Sequence, residues 1–188
     1  MNVNGDQTRD QSWRWRTCVH EAGHAVAALL LGVEGVGAVV FDGGGGLATP
    51  KPETAAMPPA SDYEPVALDA AYRFDGWPEL LRDSTFTAAG CAAVDLHFHP
   101  EKLETNVVAA DGEMVRAAAR AALNPYTDPM AEMSFAYMAA SRARCLLKPF
   151  MRRVERVAKE LDRRSRLTAE QIVEAMYPEH ATRKESQQ

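Results

Sequence analysis

Cysteine is scarce in this sequence and nowhere arranged for disulfide chemistry. Cys18, Cys91 and Cys145 are odd in number, widely spaced and form no Cys-x-x-Cys pair. That argues against a disulfide framework and for a reducing compartment. Long apolar runs are missing as well. The most apolar one, Ala25 to Phe41, is broken by Glu34 and several glycines, so it does not read as a membrane span. The N-terminus carries Asp6, Arg9 and Asp10 and does not read as a secretory signal. No Gly-rich loop ending in Lys-Ser or Lys-Thr appears, which excludes an ATP site of that type within these residues. No internal repeat is present. The expectation is a cytoplasmic protein with no membrane segment.

What is present is an ordinary globular composition. With 188 residues, 46% hydrophobic and 25% charged, the chain can bury a substantial core as one domain. The reading is a single folded domain over 13–178, with flexible tails at 1–12 and 179–188. The net charge of −5 is uneven. Arg142 to Arg166 holds ten Lys or Arg and three acidic residues, which is +7, so the remainder carries −12. A basic helix of this kind either faces nucleic acid or an acidic partner, or forms a solvated face balancing an acidic body. No aromatic interleaving or nucleic-acid motif favours the first, and no nucleic-acid partner is expected.

The element pattern is mainly α. A first helix is expected from Trp13 to Leu31, stopping at Gly32. Val36 to Phe41 reads as a strand, and Leu47-Ala48-Thr49 as a second short one. Five of the eleven prolines fall between Pro50 and Pro65, an irregular loop that is either a tolerated insertion or a flap. A second helix is expected over Glu79–Phe98, and a third from after Thr105 to Leu123. A fourth helical region spans Pro129 to Arg164 and is interrupted at Pro149. Thr168 and Gln171 form a capping box for a last helix reaching Tyr177.

The chemistry concentrates in His20-Glu21-Ala22-Gly23-His24. On a helix, positions i and i+4 share a face, so both imidazoles can bind one Zn²⁺ at about 2.0–2.1 Å. Glu21 then sits beside the metal without binding it, where it can take a proton from water. The competing reading is a helix with two hydrogen-bonded, partly buried histidines. From Ala22 to Leu31 the helix is almost wholly Ala, Val and Leu, as a buried helix would be. Polar groups held there unpaired would cost several kcal/mol, and a metal removes that penalty. Gly23 costs roughly 1 kcal/mol against alanine, and its missing side chain admits another backbone or a substrate.

A catalytic zinc site needs a third protein ligand. The downstream candidates are Asp95, His97, His99, Glu104, Asp111 and Glu113. Asp111 lies in helical phase with Met114, Val115, Ala118 and Ala122, whereas Glu113 lies with Arg116, Ala117 and Arg120. Asp111 therefore points inward and needs a partner, either the metal or an internal hydrogen bond. His97 and His99, two residues apart, point to different sides of a helix and default to the surface. Asp95, near the apolar Cys91-Ala92 turn, is a candidate for orienting a metal-bound imidazole.

These motifs resemble the peptidase domain of FtsH-type proteases, the M41 metallopeptidases. The helix His20 to Val26 followed by a small strand resembles that family's active-site helix. Gly90-Cys91-Ala92-Ala93-Val94-Asp95-Leu96 is similar to its second-helix motif, with Cys91 in place of a basic residue and Val94 in place of the first acid. Ala109-Ala110-Asp111 with Val115-Arg116-Ala117 resembles the segment carrying its third ligand, and Leu161 to Met176 resembles its end. The resemblance implies a zincin-like helical metallopeptidase domain with a small β element after the active-site helix. It implies a zinc endopeptidase with His20, His24 and Asp111 as ligands and Glu21 as base. Its substrate would be a peptide or unfolded protein segment, held by strand pairing along Val39, Val40 and Phe41. A separate unfoldase or regulatory partner fits this reading, and the oligomeric state is open. The alternative is a catalytically weak or inactive peptidase-fold module that binds a protein partner.

Overall fold

The computed structural model describes residues 4–42, 45–49, 77–102, 110–123 and 129–179. The proline-rich stretch Pro50–Pro65, Glu104 and the last nine residues lie outside them. The described chain is mainly helical, with one small sheet. Among the described residues, no helix is long and apolar enough to cross a membrane.

Helix α1 (Asn4–Leu30) is the central element. It begins nine residues before the expected start at Trp13, the polar segment before Trp13 containing no proline to stop it. From Cys18 to Ala28 its side chains are buried apart from His20, and Gly23, unlike a larger residue, lets α3 come close. A Cβ on Gly23 would stand 2.5 Å from the Ala93 Cβ and 2.7 Å from the Ala89 carbonyl oxygen. Of the two roles open to Gly23, the structure uses the first, the approach of another backbone.

Strand β1 (Gly37–Val40) follows α1, then β2 (Gly46–Thr49). They pair antiparallel from Gly37 with Thr49 to Val40 with Gly46. A third strand, β3 (Arg166–Leu167), joins β1 on its other side with Ala38 opposite Leu167. The sheet order is therefore β2-β1-β3. No local pattern announces β3, because two residues are too few to show a period. It forms because Ser165 takes a left-handed conformation (φ 62°), which ends the preceding helix and turns the chain onto β1. Arg14 of α1 fixes that turn by donating to Ser165 Oγ at 2.9 Å and Asp162 Oδ1 at 2.9 Å.

The helix expected over Glu79–Phe98 is two helices, α2 (Trp77–Thr87) and α3 (Ala89–Phe98), meeting at Ala88. Thr85 and Thr87 donate their hydroxyls to the carbonyls of Leu81 and Asp83, four residues back. Such back-bonding bends helices. Helix α4 (Ala110–Leu123) packs on α2 and α5 (Pro129–Leu147). Arg120 of α4 clasps the buried Glu132 of α5 through two hydrogen bonds, of 2.9 and 2.7 Å. A 3-10 turn at Lys148–Phe150 carries Pro149 and leads into α6 (Met151–Arg164), at the expected interruption. Thr168 and Gln171 form the capping box of α7 (Ala169–Met176).

The core around α1 is made of alanines with Leu147, Val154, Val157, Leu161, Ile172 and Met176, all essentially inaccessible. Burying each of the larger side chains stabilises the fold by about 1.5–3 kcal/mol. Two arginines of the basic stretch serve this packing. Arg153 lies over the Phe150 and Tyr177 rings, and Arg156 donates to the Met176 carbonyl, fastening α7 to α6.

Candidate metal centre

His20 and His24 project from α1 one turn apart, with their Nε2 atoms 3.1 Å from each other. Asp111, from the first turn of α4, brings Oδ2 to 3.2 Å from His20 Nε2 and 3.4 Å from His24 Nε2. The three atoms form a nearly equilateral triangle. Donors bound tetrahedrally at about 2.0–2.1 Å would lie about 3.3–3.4 Å apart, so the triangle has the size of one face of such a site.

The proton arrangement points the same way. His24 Nδ1 donates to the Phe86 carbonyl at 2.9 Å, which leaves its Nε2 as the free lone pair of the neutral ring. Two imidazole nitrogens and a carboxylate oxygen converge there, and a cation is needed to hold them together. Without a metal, that cation is a proton. Burial alone would lower the His24 pKa, but the Asp111 charge and hydrogen bond outweigh it and bring it to about 9. Burial likewise opposes ionisation of Asp111, yet the two histidines hold its carboxyl well below the usual carboxylate range. The donor set thus suits a divalent cation.

Two glycines make room for this arrangement. A Cβ on Gly90 of α3 would stand 2.5 Å from His20 Nε2 and would overlap His24 Nε2. The space next to both donor nitrogens is therefore kept open by a missing side chain. A Cβ on Gly46 of β2 would lie 2.7 Å from Glu21 Oε1, so this strand passes directly over the Glu21 carboxylate. Glu21 is 4% exposed. Burial pushes its pKa up, against the pull of His24 and His20.

Cys91 completes the surroundings. Its thiol donates to Asp111 Oδ2 at 3.6 Å, and the ligand atoms of His20, Cys91 and Asp111 all lie within 4.8 Å of one another. Burial, then the Asp111 charge, push the thiol far above its usual range, so it is neutral in the metal-free protein.

The structure thus gathers His20, Glu21, His24 and Asp111, as the sequence implied. Helical phase placed Asp111, Val115 and Ala118 correctly inward, but Ala122 is exposed, because α4 outruns the core at its end. Asp95 is buried on α3, but the group that orients His24 is the Phe86 carbonyl. His97 is half-buried rather than on the surface, accepting from Trp15 Nε1 at 3.2 Å with its other nitrogen 3.1 Å from Glu155. The strand role expected of Val39, Val40 and Phe41 does not fit. β1 is the middle strand, bonded to β2 on one side and β3 on the other, with Val39 and Val40 buried, so no peptide can add to it. Among the described residues the strand that flanks β1 on the Glu21 side is β2.

Gly46 and Phe86 are participants that motif reading missed, and it named Gly90 and Cys91 without placing them at the site. Gly90 alone left a signal, since a glycine inside an alanine-rich helix carries a propensity cost that calls for a reason. No family model matches the chain, and no curated protein is significantly similar to it.

Proposed function

We propose that this chain is a zinc-dependent endopeptidase of zincin-like architecture, with His20, His24 and Asp111 as metal ligands and Glu21 as general base. The observation that carries the reading is the triangle of 3.1, 3.2 and 3.4 Å made by Nε2, Nε2 and Oδ2, with the Glu21 carboxylate buried next to it. Bound zinc supplies a Lewis acid that acidifies water and polarises a carbonyl. Glu21 accepts the proton of the attacking water and returns it to the amine as the C–N bond breaks. Its burial raises its proton affinity toward the range a base needs near neutral pH. Phe86 and Gly90 keep the imidazoles in place throughout.

The substrate is held beside the metal as an extended segment, by main-chain hydrogen bonds. Only a flexible or unfolded segment can adopt that form, and these residues contain no Walker-type loop to drive unfolding. The FtsH-like resemblance agrees with this ligand set and this base. Glu21→Gln tests the reading. It should retain zinc and lose cleavage of a disordered protein substrate by at least about 100-fold, the usual share of a general base. Cleavage equal to wild type would refute the proposal. Zinc retention with no cleavage by either form would favour the partner-binding alternative.

A further inference from the structure

Cys91 has no part in the chemistry above, yet it stands at the same centre. It follows Gly90 on α3, and Gly90 brings that helix against the two imidazoles. In a tetrahedral site with a sulfur ligand at about 2.3 Å and an oxygen at about 2.0–2.2 Å, the two donors lie about 3.5–3.7 Å apart. Cys91 Sγ is 3.6 Å from Asp111 Oδ2, which is already that separation. Its ligand atom is within 4.8 Å of that of His20. Closing to ligand spacing on His20 needs a shift of at most about 1.3 Å, within reach of a side-chain rotation, while His24 lies outside that group of three. The buried Cys18 and the exposed Cys145 belong to no such cluster among the described residues.

We propose that Cys91 is a fourth protein ligand, so that the resting site is closed by His20, His24, Asp111 and Cys91 and the peptidase is latent. This inference rests on the metal-site reading above and adds its regulation. Closed sites of four protein ligands are structural, whereas catalytic ones keep a position open. On closing, the thiol would release its proton to solvent and its sulfur would take the fourth position as the bound water leaves. On opening, the sulfur leaves that position, recovers a proton from solvent, and the position passes to water and substrate. Latency keeps an unfolded-segment protease from cutting until a substrate strand or partner displaces the thiol.

Cobalt(II) substitution tests this independently of activity. Wild-type protein loaded with cobalt should show a strong near-ultraviolet sulfur-to-cobalt charge-transfer band. Cys91→Ser should bind cobalt without that band, while Cys145→Ser should keep it. If the open form is roughly a tenth of the population or less, zinc-loaded Cys91→Ser should cleave a disordered substrate at least about tenfold faster. Cobalt binding by wild type with no sulfur band would overturn the fourth ligand and leave the three-ligand site standing. A band that persists in Cys91→Ser would overturn it as well. Failure of wild type and Cys91→Ser alike to bind cobalt or zinc would overturn the metal reading itself.

Discussion

Replacing Gly90 with alanine should separate the fold of this protein from its metal site. The added Cβ would stand 2.5 Å from His20 Nε2 and 2.6 Å from its Cε1, and would overlap His24 Nε2. Ordinary contact begins at roughly 3.5 Å, so the methyl and the rings must part by about 1 Å. Helix α3 has no slack to retreat along α1, because Gly23 already packs tightly on Ala89 and Ala93. His24 is tethered through Nδ1 to Phe86, so the strain falls on ring positions at the donor atoms. Metal ligation tolerates only about 0.2 Å, and a displacement of this size removes at least one ligand. Affinity for zinc should therefore fall at least about 100-fold, or about 2.7 kcal/mol. The metal-free fold should suffer less. Overpacking costs about 1–3 kcal/mol, and alanine recovers about 1 kcal/mol of helix propensity over glycine. The net is about 0–2 kcal/mol, at most about 8 °C in Tm for a chain of this size. Competition against a chromophoric zinc chelator gives the affinity, and melting in excess chelator gives the stability. A variant that holds zinc within about threefold of wild type would refute this account of Gly90.

Gly46→Ala acts on the base instead of the metal. Its Cβ would press on the Glu21 carboxylate, so cleavage should fall by roughly tenfold or more while zinc content stays unchanged; undiminished cleavage would contradict the placement of β2 over Glu21. Metal-free protein should lose stability as pH rises. His24, faced by His20, Glu21, Asp111 and the Phe86 carbonyl, has its pKa raised from 6.5 to about 9, so its contribution is full below about 6.5 and is lost as pH climbs through about 9. Glu21, also raised, acts with the same sign, while the lowered Asp111 loses its contribution only on acidification well below its ordinary 3.8. The alkaline loss from His24 is on the order of 3 kcal/mol, seen as a falling Tm in chelator. Asp111→Asn should flatten it, and an equally steep curve in that variant would break the argument.

Local signals carried the helices a long way. Pro149 marked the join between α5 and α6, and Thr168 with Gln171 marked the start of α7, because a proline and a capping box act within one turn. The α2–α3 break was missed because no proline stands between Glu79 and Phe98 and no side chain caps the second helix at Ala88, so nothing local marks it. Both histidines and Glu21 were legible because their spacing on one helix fixes their geometry. Asp111 was legible because an inward carboxylate on an amphipathic helix needs a partner.

By itself, then, the sequence determined a mainly helical chain, its two-histidine helix and an inward aspartate. Only the tertiary structure decided what surrounds them. It seated Gly90 against the imidazoles, laid β2 over Glu21 and aimed the Phe86 carbonyl at His24. It also brought the Cys91 thiol to Asp111, and it made β1 the middle strand by adding the two residues of β3. Each of these is a contact between segments far apart in the chain. Helical period and capping reach only one turn, whereas these contacts depend on how the elements pack.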